Sequence, residues 1–114
     1  MKRPVLFLIA LMLAAAPACA ETIPAEDANR HMGETATVEG RASIQKMASG
    51  EIYLDLDGRG DSAPLSAYIS RWNAPRFAGI DELDGKVIAI TGAIGSFRYR
   101  PEIFLTDPDQ IAVK

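Results

Sequence analysis

The residues able to do chemistry fall into three groups. The first is His31, the single histidine of the chain. No cysteine or serine stands near it at a spacing that pairs a nucleophile with a base, so it is expected to be a surface or packing residue. The second is the stretch DLDGRGDSAP, beginning at Asp55. Asp55, Asp57 and Gly60 fit the first, third and sixth positions of a calcium loop. Arg59 then falls at the fifth position, and Ser66 at the twelfth, where a bidentate Glu is required. Arg59-Gly60-Asp61-Ser62 also spells a cell-adhesion tetrapeptide, a match short enough to arise by chance. The remaining reading is a connection between strands, with Asp57-Gly58 and Arg59-Gly60 as turn residues and Pro64 at the return. The third group is Phe97-Arg98-Tyr99-Arg100-Pro101. Alternating aromatics and arginines suit stacking on bases combined with phosphate contacts. Zinc is excluded by ligand count. An enzyme is not expected, nor a cofactor or a metal.

The ends and the composition set the setting for these groups. The chain opens MKRPVLFLIALMLAAAPACA. A basic head, an apolar run and Ala18-Cys19-Ala20 form a secretory signal with cleavage expected after Ala20. The apolar run is shorter than the ~20 residues of a membrane span. No stable span is therefore expected after cleavage, and the protein is expected to be periplasmic or secreted. Lipidation at Cys19 is the alternative. Against it, Ala16-Pro17-Ala18 puts alanine where a lipoprotein signal prefers leucine. Residues 21–114 then form one small domain. Its 10 basic and 15 acidic residues give a net charge of −5, with no cysteine left. Such a chain does not attract polyanions by bulk charge.

Thr22-Ile23-Pro24-Ala25-Glu26 reads as a helix start, with Ala25, Ala28 and Met32 on one face and Gly33 as the stop. From residue 35 the period changes to two. Ala36, Val38, Ala42 and Ile44 face one way on a long first strand, and Gly40 marks a bend. Ile52, Leu54 and Leu56 define a second strand, and Leu65, Ala67 and Ile69 a third. Residues 71–85 lose the alternation and read as a helical connection anchored by Phe77, Ile80 and Leu83. A fourth strand is expected over 86–97, with Ile88, Ile90 and Ile94 inward and Gly92 at a bend. A fifth is expected over 102–106. Asp107-Pro108 begins a final turn of helix, with Ile111 packing back.

Three strands, a helical connection and two strands are the order of the five-stranded OB-fold Greek-key barrel. The expected class is therefore all-β with small α content. The stretches HMGETATVEGRASIQKMASGEIYLDL and LDGKVIAITGAIGSFRYRPEIFLTDPDQI strengthen this expectation. They resemble the small secreted bacterial OB-fold domains of the nucleic-acid-binding type over nearly the whole of 21–114. The shared features are turns, bends and core positions, so the resemblance speaks to fold more than to ligand.

On such a barrel, ligands lie across strands two and three, near the loop that joins strands four and five. The expected binding face is therefore Arg41, Tyr53, Tyr68 and Phe104, with Phe97, Arg98, Tyr99 and Arg100 in the loop. Cross-strand aromatics also stabilise sheets with no ligand present. Glu39, Glu51 and Asp55 share the outward face and repel phosphates. Two ligand classes fit these residues: single-stranded nucleic acid or another polyanion, and an envelope protein or small envelope ligand. Trp72 and Phe77 are expected to cover a barrel end or to line an apolar groove.

Overall fold

A computed structural model describes residues 21–114, so the expected signal sequence, its expected cleavage and the alternative of lipidation at Cys19 lie outside the described residues. The first strand, β1 (Thr22–Pro24), replaces the start of the expected helix and runs parallel to the next strand, pairing Ile23 with Val38. Pro24 does not sit in the first helical turn. It is extended and precedes a 3-10 turn, Ala25–Arg30. A 3-10 turn eclipses residues three apart. Ala25 and Ala28 therefore bury together, while Met32 is exposed, contrary to its expected place on the apolar face.

Strand β2 (Thr35–Lys46) is the spine. Its first half pairs with β5 (Val87–Ala93), and its second half with β3 (Ile52–Leu56). Gly40 lies where the ladders change over. A Cβ there would stand 3.0 Å from Leu56 Cβ, so the close approach of the two strands requires glycine. β4 (Leu65–Ile69) pairs with β3 and, in parallel, with β7 (Arg100–Phe104). Between β4 and β5, two 3-10 turns, Ala74–Phe77 and Ile80–Leu83, form the helical connection. Phe77 is buried as a cover over the core, whereas Trp72 is 77% exposed under the Arg71 guanidinium at 4.5 Å.

The expected five-stranded closed barrel does not form. Eight strands make one mixed sheet, bounded by β6 (Gly95–Phe97) and β8 (Ile111–Val113), in the order β6-β7-β4-β3-β2-β5-β8, with β1 beside β2, and the sheet stays open. The reason is edge occupancy. The strand expected over 86–97 breaks after Ala93, and β6 (Gly95–Phe97) folds back as a hairpin on β7. The tail forms an unexpected strand, β8 (Ile111–Val113), which takes the outer edge of β5. Both edges that closure would join are already paired. A side chain bridges them instead. Gln110 Nε2 donates to Thr91 O on β5 at 3.0 Å and to Phe104 O on β7 at 3.4 Å.

The core lies inside the curl of this sheet. Val38, Leu54, Leu65, Ile88, Ile90 and Ile103 are fully buried. Alternation then leaves Tyr53, Asp55, Ser66, Tyr68, Glu102 and Phe104 on the outer face of β3, β4 and β7. Among the described residues, no helix is long and apolar enough to cross a membrane.

Candidate functional site

Two cross-strand rows stand side by side on that outer face. The register places Gln45, Tyr53, Tyr68 and Phe104 in the first, and Ser43, Asp55, Ser66 and Glu102 in the second. The first row is an aromatic ladder. Tyr53 and Tyr68 lie 5.3 Å apart between ring centroids, as do Tyr68 and Phe104, with tilted planes. Such contacts contribute about 0.5–1.5 kcal/mol per pair beyond buried area.

The second row is polar yet covered. Asp55 is 3% exposed and Glu102 8%. Asp55 is held at both oxygens: Ser66 Oγ donates to Oδ1 at 2.6 Å, and Gly60 N donates to Oδ2 at 2.7 Å. This answers the stretch that resembled a calcium loop. Asp55 anchors the turn, and Asp57 Oδ1 accepts from Arg41 N at 2.8 Å. The short 3-10 turn Gly60–Ser62 then leans over the row. Arg100 locks it there. Its guanidinium donates to Gly60 O, to Ala63 O at 3.1 Å and to Asp61 at 3.4 Å.

The turn and the β6–β7 hairpin wall a groove of about 550 Å³. Tyr53, Asp55, Ser66 and Glu102 form its floor, and Phe97 and Arg98 line its hairpin side. Burial pushes the Glu102 carboxyl above its ordinary range, opposed by the nearby Arg100 charge. Burial likewise raises the Tyr53 hydroxyl, helped by Tyr68 and Glu102, while Arg98 acts against the shift.

The expected site residues therefore separate. Tyr53, Tyr68 and Phe104 do come together. Phe97 and Arg98 stand at the groove, with the guanidinium 5.1 Å from the Phe97 ring centre. Arg100 is committed to the wall rather than free for phosphate. Arg41 lies outside the groove lining: it stands beyond the end of the β3 ladder and donates to Gly85 O. Asp55, Ser66 and Glu102 were not among the expected ligand contacts. The signal for them was present, since all three occupy outward positions beside the aromatics. His31 bonds Glu34 at 2.9 Å, which raises its pKa, and it does not line the groove.

The hairpin tip is strained. Arg98 and Tyr99 adopt φ of 54° and 68°, the left-handed region that a two-residue type I′ hairpin demands. That region costs a bulky residue about 1–2 kcal/mol, and asparagine and glycine fill it far more readily. Tyr99 is 100% exposed, so no packing offsets the strain. Replacing both residues, Arg98→Asn with Tyr99→Gly, should raise stability by about 1–2 kcal/mol in urea denaturation. No gain would show that the tip is relaxed as it stands.

No protein-family model matches the sequence, and no curated protein matches it. Solved structures do. An Entamoeba histolytica aspartyl-tRNA synthetase superposes with a TM-score of 0.57 at 18% identity, over 82% of this chain and 21% of that one. A Leishmania major Friedlin protein assigned as an aspartyl-tRNA synthetase gives 0.55 at 12% identity, over 88% and 22%. The hypothetical protein ygiW from E. coli gives 0.49 at 15% identity, over 86% and 94%. The chain thus spans about a fifth of the two synthetase chains. At these identities the likeness to the two synthetase structures is one of fold. It supports an OB-like framework, carried here by the β2–β3–β4 meander, β5 returning to β2, and β7 parallel to β4.

Proposed function

We propose that this protein is a secreted or periplasmic, non-catalytic binding module whose groove takes an envelope protein segment or a small envelope ligand. The signal-type start of the sequence supports the compartment. The observation that carries the ligand class is the groove floor. Asp55 and Glu102 lie beneath it, and Asp61 stands on its rim. Arg100, the arginine nearest these acids along β7, spends its donors on the wall. A phosphate entering this groove would meet more negative than positive charge, in a setting where screening is weak.

Single-stranded nucleic acid competes through one feature, the Tyr53–Tyr68–Phe104 ladder, on which bases could stack. Titration at about 20 mM salt, where screening is weak, separates the two readings. The expected result is no saturable binding of a labelled oligonucleotide. A panel of small molecules and short peptides should instead shift amide resonances of Tyr53, Ser66, Phe97 and Glu102. Saturable oligonucleotide binding that weakens steeply with salt would overturn the proposal. Panel shifts mapping only outside the groove would overturn it as well.

A further inference from the structure

Glu102 differs from the other two acids of the groove, Asp55 and Asp61. Asp55 beside it has two hydrogen-bond donors, and Asp61 has Arg100. Among the described residues, the Glu102 carboxylate accepts no side-chain or backbone hydrogen bond and forms no ion pair, although the residue is 8% exposed. Its neighbour across the ladder, Ser66, gives its proton to Asp55 instead. Arg100 attracts Glu102 at a distance but bonds the turn. No fully sealed side-chain oxygen among the described residues lacks a partner, so the Glu102 carboxylate keeps an opening to solvent. Its direction is set by three facts. Glu102 shares a row with Asp55 and Ser66, it lines the groove, and its charge acts on the Tyr53 hydroxyl.

A largely covered carboxylate served only by solvent gains from a fixed charged donor, which stabilises it more than water does. Such a donor would replace water from the groove side. A neutral ligand would leave the charge uncompensated under its cover. An anion would add repulsion from Glu102 and Asp55. A metal ion would find too few ligands, since no three His, Cys, Asp or Glu among the described residues stand together to hold one. A group that both donates hydrogen bonds and carries positive charge satisfies Glu102 completely. Aromatic side chains, Tyr53 and Phe97, line the same groove, and the Arg98 guanidinium 5.1 Å from the Phe97 ring centre shows that a cation is tolerated there. The volume of about 550 Å³ lies within the ordinary range for small-ligand sites.

Resting on the reading of this groove as a binding site, we infer that it selects organic cations, with an alkyl-ammonium or guanidinium group seated on Glu102. The same chemistry comes from a lysine or arginine side chain of a partner protein and from a free diamine. Nα-acetyl-arginine amide represents the first source and cadaverine the second. Nα-acetyl-citrulline amide is the neutral counterpart of the arginine probe.

Amide resonances of Tyr53, Ser66 and Glu102 should shift with the cationic probes. The arginine probe should bind about tenfold or more tightly than the citrulline probe, as loss of a charge-assisted hydrogen bond implies. Glu102→Gln should remove that preference, while Asp109→Asn, outside the groove, should leave it intact. The Gln variant should fold. Burial raises the Glu102 pKa, so stability falls as pH rises through the folded value, and Gln escapes that loss at pH 7. Tighter binding of cadaverine would assign the free diamine as the source. Equal affinity for the arginine and citrulline probes, or a preference surviving Glu102→Gln, would overturn the cation inference and leave the groove reading standing. Absence of groove shifts with any cation would also overturn it. The groove reading itself fails only if the wider panel also leaves the groove untouched.

Discussion

Asp55→Ala should destabilise the protein by about 2–4 kcal/mol, more than any other change at the groove. Asp55 is 3% exposed, and its two oxygens each hold a donor. Truncation strands the Ser66 hydroxyl and the Gly60 N–H together. Ser66 is buried, so its stranded hydroxyl costs about 1–3 kcal/mol, whereas Gly60 is exposed and water relieves its N–H in part. Asp55→Asn should cost less, because its Oδ1 can accept from Gly60 N while its Nδ2 donates to Ser66 Oγ, which accepts as readily as it donates. The damage should be local as well as global. Without its anchor the 60–62 turn lifts, and Arg100 loses Gly60 O and Asp61, two of its three acceptors. Hydrogen exchange at the Gly60 amide should therefore quicken by more than the global loss of stability explains. Asp61→Ala is the control. Its side chain is fully exposed and its contact with Arg100 is long, so it should cost under about 0.5 kcal/mol. A loss below about 1 kcal/mol for Asp55→Ala would mean that water already serves the two donors.

The same residues show why the groove was only half legible in the sequence. Alternation along β3, β4 and β7 is local, and it placed Tyr53, Tyr68 and Phe104 outward and Leu54, Ala67 and Ile103 inward. What covers that outer face is not local. Arg100 reads as a free basic residue in a loop of aromatics and arginines, and only the fold shows it reaching the turn at Gly60. Asp55 reads as a charge that repels phosphate. Its role as an anchor depends on Ser66, which the strand register alone brings alongside. Arg41 stands apart from the groove for a similar reason. Alternation gave its direction correctly, but the β3 ladder ends one residue short of it.

Edge competition explains the misread architecture. Gly92 suggests a bend, and nothing local says that the chain breaks at Ile94 rather than curving on. The break falls where Ile94 is held by the turn that precedes β2. Gly33 N donates to Ile94 O at 2.7 Å, and Ile94 N donates to Glu34 O at 2.8 Å, which pulls that residue out of the ladder. The N-terminal segment failed on period. Ala25 and Ala28 fit both a 3.6-residue and a three-residue turn, and Met32 alone could have distinguished them. It is exposed.

The open seam between β5 and β7 is where the second large effect should appear. Gly92→Ala places a Cβ 2.7 Å from Ile103 Cγ2 and 3.2 Å from Gln110 Nε2. Ile103 is β-branched and fully buried, so it has no easy rotamer to retreat to. Overpacking of this kind costs about 1–3 kcal/mol. Gln110→Ala attacks the seam from the other side. The amide oxygen accepts from Thr106 N and Asp107 N at 2.9 and 3.1 Å, while its nitrogen holds the two strands. Water can replace the outer pair of bonds but not the strand bridge, giving a loss of about 1–2 kcal/mol. The two changes should not add. Once Gly92→Ala has pushed the edges apart, Gln110 can no longer span them, and its removal then costs less. A double-mutant cycle by urea denaturation should show a coupling of about 0.5 kcal/mol or more. Strict additivity would mean that Gln110 acts only as a cap for the final turn. In that case the curl of the sheet would be held by core packing on Ile103 alone.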